Sequence, residues 1–523
     1  MRCARGRTSA PVAVTAAIVA TLIAGCGAGP SERPGVAVRE GGGNAPTPSS
    51  TELPPPAEPP APKAEPAWRD CTTSTLDLYG LGAAPNGLTL ECAELTVPVD
   101  AGGNGYGAFT AGVMRARLPQ TPADAAPLVL TSGSDRPSTA TLAGMAIGPA
   151  TPVLAARPIV AFDRRGTGSS QAIECISAGT RRGLTENAQF SANGADRLDS
   201  IVKLSQDATT SCKDFLQPQE MTFDTTHAAE DLEQLRLVWQ VDSIGLLGTG
   251  EGAQVALAYA RMFPGHLSRL VLDAPQGIGD AQTLAEQRVQ GAEAALDAFA
   301  NRCAALNCAL GPDPRAAITD LVRRAGAGGL GTVAANTVLS AISGFLGSPR
   351  ADLPTRTTEL ADVLAAAGRG DGAGLDGLIQ RQLAATMTDG QFVGRCTDGR
   401  QWPAPSQVQS LQTNWRDRYP VFGEQAALSL LACAAWPAPT GDTEPAQLNL
   451  PVLVLAGQAD PVTGRTGVDS VTGELQRAGA RTSVVDWQGW GHPVSAHSNC
   501  AQQAVVGYLK SGNLPENGTA CPA

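Results

Sequence analysis

The clearest chemical pattern lies at 243–260. Ser243-Ile244-Gly245-Leu246-Leu247 reads as an apolar strand, Gly248-Thr249-Gly250-Glu251-Gly252 as a tight glycine turn, and Ala253 to Ala260 as an amphipathic helix. This is the layout of a nucleophile elbow, Gly-x-Ser-x-Gly, in which a sharp strand-to-helix turn exposes a serine hydroxyl. The outer glycines, Gly248 and Gly252, are in place, but the central position is Gly250. A turn built to present a nucleophile presents none.

A serine of this kind works with a carboxylate and a histidine that follow it along the chain. Leu453-Val454-Leu455-Ala456-Gly457-Gln458-Ala459-Asp460-Pro461 places Asp460 in the loop after an apolar run, and Trp490-Gly491-His492-Pro493 places His492 after the next one. Asp460 would hold the imidazole tautomer and stabilise its cation, and His492 would be the general base. Singly, each fits a turn aspartate or a packed loop histidine. Together, in this order, they read as retained members of a triad. His497 is a weaker candidate. His266 is read as closing the elbow helix, and His227 as preceding the helix before the elbow strand.

Donors for an oxyanion are expected from the loop Thr131-Ser132-Gly133-Ser134-Asp135-Arg136-Pro137 and from Glu251, next to the empty position. Asp135 would bring a negative charge towards a developing oxyanion, the wrong sign. Ser132 and Ser134 are the substitutes for the missing nucleophile. Both are expected on the far side of the oxyanion pocket, and Thr249 is expected to point away from His492.

These residues need a scaffold. Strand-like runs at 95–98, 109–115, 127–131, 158–162, 243–247, 270–272, 452–456 and 482–487 alternate with helical patterns. That argues for an α/β fold with a mostly parallel central sheet flanked by helices. The first two runs suit an antiparallel edge, and the rest read as buried central strands. Helical periodicity at 281–301, 315–324, 355–367 and 426–435 marks an inserted helical cap. The division is 68–275 for the first part of the core, 276–445 for the cap and 446–523 for the second part of the core.

Phe162-Asp163-Arg164-Arg165-Gly166-Thr167-Gly168-Ser169-Ser170, followed by Cys175, resembles the D-x-R-G-x-G-x-S loop of exported actinobacterial tripeptidyl-aminopeptidase-like hydrolases. So do Asp231-Leu232-Glu233-Gln234-Leu235-Arg236, Leu270-Val271-Leu272-Asp273, Cys433-Ala434-Ala435-Trp436-Pro437 and the tail from Cys500 to Cys521. The resemblance spans nearly all of the chain after the N-terminal segment. It implies an α/β-hydrolase fold with a helical cap, an exopeptidase ancestry, and triad roles for Asp460 and His492. The chain departs from the family at Gly250 and at the 131–137 loop, where members carry a Gly-Gly-Pro-Gly-type sequence. Losing the nucleophile of a triad costs roughly a million-fold in turnover. Losing an oxyanion donor removes a further factor of about 10²–10³.

The N-terminus carries Arg2, Arg5 and Arg7, then an apolar run ending Leu22-Ile23-Ala24-Gly25-Cys26. It reads as a signal peptide over 1–25 with a lipobox-like end, so Cys26 is the expected lipid site. The segment 26–67 is rich in Pro, Gly and Ala and reads as a disordered tether. Of 12 cysteines, Cys3 lies in the signal and Cys26 at its end. The even remainder in an exported chain argues for disulfides, and the connectivity is open from sequence alone. Pairing of neighbours (Cys71 with Cys92, Cys175 with Cys212, Cys303 with Cys308, Cys396 with Cys433, Cys500 with Cys521) is the expectation, and the resemblance supports it.

The net charge is −11 and no basic run occurs, which argues against nucleic acid as a partner. Zinc-type ligand spacing is not seen, so no metal is expected. Gly248-x-Gly250-x-x-Ala253 with Asp273 downstream also comes near a dinucleotide-binding fingerprint. That reading leaves Asp460, His492 and the 163–170 loop without a role, so no cofactor is expected. Three functions stay open. The first is an impaired or dead hydrolase, on the outer face of the membrane, that binds a peptide or small molecule over His492. The second is an active peptidase or esterase with an unusual nucleophile. The third is a structural envelope protein.

Overall fold

The computed structural model describes residues 57–85, 87–100, 107–134, 136–148, 151–191, 196–350, 353–399, 401–437 and 447–523. The signal segment, Cys26 and Asp135 lie outside them. Among the described residues, no helix is long and apolar enough to cross a membrane.

Among the described residues, ten strands form one sheet: β1 (Arg69–Asp70), β2 (Thr89–Pro98), β3 (Ala108–Arg117), β4 (Leu128–Thr131), β5 (Ile159–Phe162), β6 (Ile244–Thr249), β7 (Leu267–Asp273), β8 (Val452–Ala459), β9 (Thr482–Trp490) and β10 (Thr519–Cys521). Their spatial order is β1-β2-β3-β5-β4-β6-β7-β8-β9-β10. β3 runs antiparallel to β2 and β5, whereas β5, β4, β6, β7, β8, β9 and β10 are mutually parallel. β1 also runs antiparallel to β2, so β1 and β3 oppose the other strands. An antiparallel edge on a parallel sheet, with β4 and β5 exchanged, is the α/β-hydrolase arrangement.

Every residue of β4, β5, β6 and β7 is buried. That follows from helices covering both faces of a parallel sheet. Alternate residues feed two cores. Val129, Val160, Leu246, Leu270 and Val454 pack on one face, and Leu128, Leu130, Leu247, Val271 and Leu453 on the other. The chain leaves β4 for β5 on one side and returns to β6 on the other. The loops after β4 and β6 therefore flank a crevice at the carboxyl ends of the strands, where ligands bind in open α/β sheets.

Helices from Ala281–Ala305 to Gly423–Ser429 lie between β7 and β8. Four of them, at Ala335–Leu346, Ala373–Thr386, Asp389–Asp398 and Pro405–Arg418, were not anticipated from periodicity. Nor were Ala178–Thr185 and Arg197–Leu216, which precede the elbow. The second of these packs against the turn Leu430–Cys433, so residues outside 276–445 also build the helical layer. Asp389 ties the layers together. Its buried carboxylate accepts from the Cys175 and Ile176 amides, both at 2.7 Å, and from Arg181 Nε at 2.8 Å.

Two expectations need correction. The tether does not extend to residue 67. Glu58 pairs with the buried Arg157 at 2.6 Å, and the Lys63 amide donates to the Trp239 carbonyl at 2.9 Å. Local composition there is polar, but the partners come from distant parts of the fold. His227 does not precede its helix. It sits in the first turn of Thr225–Trp239, where its Nδ1 lies 2.6 Å from the capping Asp224.

The disulfides are Cys71–Cys92, Cys175–Cys212, Cys303–Cys308, Cys396–Cys433 and Cys500–Cys521. Each joins cysteines that are neighbours in the sequence.

Candidate active site

The elbow keeps its backbone without its side chain. Gly250 has φ 57°, in the left-handed region. Its amide donates to the Asp273 carbonyl at 3.1 Å, and its carbonyl accepts from Ala253 and Gln276. The helix Gly252–Met262 then begins. A Cβ on Gly252 would meet the Thr131 carbonyl at 2.0 Å, so glycine there lets the elbow press against the end of β4.

Asp460 and His492 meet. His492 Nδ1 lies 2.8 Å from Asp460 Oδ2, and both residues are buried. The other carboxylate oxygen accepts from the Val462 and Thr463 amides at 2.7 and 3.0 Å. Three donors thus fix the carboxylate, and the carboxylate fixes the imidazole.

Asp273 closes the frame. Its buried carboxylate accepts from the Val494 and Ser495 amides at 2.8 and 2.9 Å. Its carbonyl takes the Gly250 amide, so one residue joins the elbow to the histidine loop. Burial pushes this carboxyl up against the effect of those bonds. From sequence, Asp273 stood out as the acid of a dinucleotide fingerprint and as the end of one stretch in the family resemblance. The structure engages it with protein amides instead. The other histidines are set apart from catalysis. His497 stacks on Trp487 at 5.5 Å, and burial pushes its imidazole down to about 3. His266 lies in the turn Pro264–His266, with Nδ1 3.1 Å from Glu233.

The hydroxyls near the elbow are committed. Thr141 Oγ1 donates to the Pro137 carbonyl, and Ser132 Oγ donates to Thr141 Oγ1 at 2.9 Å. With that proton directed to Thr141, Ser132 accepts from Thr249 Oγ1, also 2.9 Å away. The relay runs from Thr249 through Ser132 and Thr141 to a backbone carbonyl. Ser132 lines a cavity of about 140 Å³ together with His492. Ser134 Oγ accepts from Arg164 Nη1 at 2.9 Å.

The oxyanion region holds a charge of its own. The Ser134 amide donates to Glu251 Oε2 at 2.7 Å, and Glu251 Oε1 lies 3.7 Å from Arg164. An amide of the 131–137 loop, where an oxyanion donor is expected, therefore faces a protein carboxylate. The residue after the empty position carries the signal for this. Its acidic side chain was visible in the sequence, but its direction was not.

The small cavity adjoins one of about 900 Å³ between the sheet and the helical layer, and both are lined by Arg288, Ser343, Thr386, Arg395 and Pro461. The larger one also reaches Glu251, Gln254, Asp389 and Asp398. Among the described residues, no group of acidic, histidine or cysteine side chains could hold a metal ion.

A family model described as TAP-like protein matches residues 419–521, which hold Asp460 and His492. Serine protease Hip1 of Mycobacterium tuberculosis (strain H37Rv) is 26% identical over 407 residues, covering 69% of this chain and 74% of that protein. The same figures hold for serine protease Hip1 of Mycobacterium bovis. Among solved structures, esterase E22 is 13% identical with a TM-score of 0.38, covering 81% of this chain and 100% of that one. Esterase RhEst1 from Rhodococcus sp. ECU1013 is 16% identical with a TM-score of 0.34, covering 80% and 99%. The sheet order is that of the α/β-hydrolase fold, and the C-terminal region at 419–521 is similar to TAP-like protein.

Proposed function

We propose that this chain is an exported, lipid-anchored TAP-like α/β hydrolase that has lost serine-type covalent catalysis. It binds a peptide or other small ligand in the cavity over His492. The observation that carries the reading is the hydrogen-bonded Asp460–His492 pair in a chain whose elbow turns in the left-handed region at Gly250, which has no side chain. A base without a nucleophile cannot form an acyl-enzyme. Two further contacts support the loss. Glu251 takes the Ser134 amide, and the hydroxyl relay directs the Ser132 proton towards Thr141. The relation to Hip1, named a serine protease, supports a peptidase ancestry. Five disulfides are consistent with an oxidising compartment outside the cytoplasm. The lipobox-like run ending at Cys26 supports the anchor.

The test is exposure of the purified protein to a fluorophosphonate, followed by intact mass. No adduct is expected. An adduct that disappears in His492→Ala would show a working nucleophile and overturn the reading, and peptide mapping would name the residue.

A further inference from the structure

We infer that the larger cavity is a channel for a single unbranched acyl chain. The inference rests on the reading of this crevice as a ligand site and names the class of molecule that fills its larger part.

Three helical segments supply much of the wall. From Ala281–Ala305, the residues Ala281, Leu284, Ala285, Val289 and Ala292 line the cavity, spaced as one face of a helix, with Arg288 as the one charge among them. That face runs about 16 Å at roughly 1.5 Å per residue. Leu257 and Ala258 line the cavity from Gly252–Met262. Ala426 and Leu430 do so from Gly423–Ser429 and the turn that follows it. Main-chain groups within a helix are bonded along it, so these faces offer a guest only their side chains.

The polar side chains of the wall are engaged with the protein itself. Asp398 accepts from Arg164 at 2.9 Å and from the Thr225 amide at 2.6 Å. Asp224 accepts from the His227 amide at 2.8 Å, and Glu474 pairs with Arg477. With the bonds of Asp389 and Glu251 described above, every carboxylate among the described lining residues has a partner. Arg181 is bonded to Asp389, and Arg288 and Arg395 donate to the Val462 and Thr386 carbonyls. Arg261, in the last turn of its helix, is the remaining charge of the wall. The amides are used in the same way. Asn336 Nδ2 donates to the Thr185 carbonyl at 2.7 Å, Gln254 Nε2 to the Gln276 carbonyl at 2.9 Å and Asn187 Nδ2 to the Gln425 carbonyl at 3.0 Å.

This decides between two guests. A peptide brings one N–H and one C=O per residue, and a buried group without a partner costs as much as a lost hydrogen bond. A wall whose polar groups are already engaged satisfies few of them. An acyl chain brings no such groups and gains from any apolar surface that takes it out of water. At about 900 Å³ the cavity is of the size that holds a small molecule.

The experiment uses the full folded protein. Hexanamide, octanamide and decanamide, which carry no charge, are titrated calorimetrically beside N-acetyl-trialanine amide. Affinity should rise about fourfold for each added methylene, as burial of hydrocarbon requires. Decanamide should bind more tightly than the peptide by roughly tenfold or more. Ala285→Phe and Ala426→Phe, which fill the channel from two helices, should each weaken decanamide by roughly tenfold or more, with melting curves confirming that they fold. Monodecanoylglycerol should displace decanamide, and didecanoylglycerol should do so no better. An affinity that does not change with chain length overturns the inference. So does decanamide binding untouched in both folded variants, or a preference for the two-chain lipid. The wild-type series carries the test where a variant does not fold. Binding of the peptide alone overturns the acyl chain and keeps the ligand site, whereas binding of no probe sinks both. The fluorophosphonate result is independent. A labelled protein that still follows the methylene series would sink the proposed loss of catalysis and keep the channel.

Discussion

Gly250→Ser would return a hydroxyl to the elbow, and the structure sets how much that restores. The position has φ 57°, where an L side chain costs roughly 1–3 kcal/mol relative to glycine. The domain is large and carries five disulfides, so the expected fall in melting temperature is a few degrees. His492 is already held by Asp460 at 2.8 Å and can activate the new hydroxyl. The oxyanion region is the remaining obstacle, because Glu251 accepts the Ser134 amide at 2.7 Å. Absence of one oxyanion donor costs about 10²–10³ in turnover. The single variant should therefore label slowly with a fluorophosphonate and cleave p-nitrophenyl esters weakly. Gly250→Ser with Glu251→Ala should be faster by up to that same factor, roughly 10²–10³. Labelling is followed by intact mass against time, and folding by melting curves. If both variants fold and neither is labelled at all, the assignment of position 250 as the nucleophile position is wrong.

Asp273→Ala should be strongly destabilising, because the buried Val494 and Ser495 amides lose their acceptor. At about 1–3 kcal/mol for each orphaned donor, the loss is roughly 2–6 kcal/mol by denaturant unfolding. Wild-type stability within 1 kcal/mol, roughly the least that one orphaned amide costs, would refute the role given to it. Removing the Cys175–Cys212 bridge, with its sequence separation of 37, should cost about 4 kcal/mol on the chain-entropy scale. Its presence is checked by non-reducing peptide mapping. His497 titrates near 3 in the fold against an ordinary 6.5, so the unfolded chain binds the extra proton first as pH falls. Its contribution to stability is complete above about 6.5 and is lost progressively towards 3. The pH slope of unfolding free energy in this window should flatten in His497→Phe, and identical slopes would argue against the burial described.

Much of this was legible in the sequence because it is local. β6, the glycine turn and the following helix form a contiguous signature, and so do the loops carrying Asp460 and His492. The central strands stood out because burial on both faces demands unbroken apolar runs. What escaped depends on distant partners. Residues 57–67 look like a linker until Arg157 and Trp239 supply their contacts. The helices Ala178–Thr185 and Asp389–Asp398 are mixed in character, because they face a cavity as well as a core. Arg136, Arg288 and Arg395 are scattered in the chain and meet only in three dimensions. The direction of the Glu251 side chain is likewise a tertiary fact.

The three bonds to Asp389 bear on how a ligand arrives. Its helix, Asp389–Asp398, forms part of the wall of the larger cavity. One end is held to the 175–181 segment, and at the other Asp398 accepts from Arg164 and from the Thr225 amide. A wall pinned at both ends does not swing as a hinged door would. A guest meets a chamber already shaped, so little chain entropy is lost when it docks. Association should then be a single step whose rate rises linearly with ligand concentration, without the plateau that marks a slow closure.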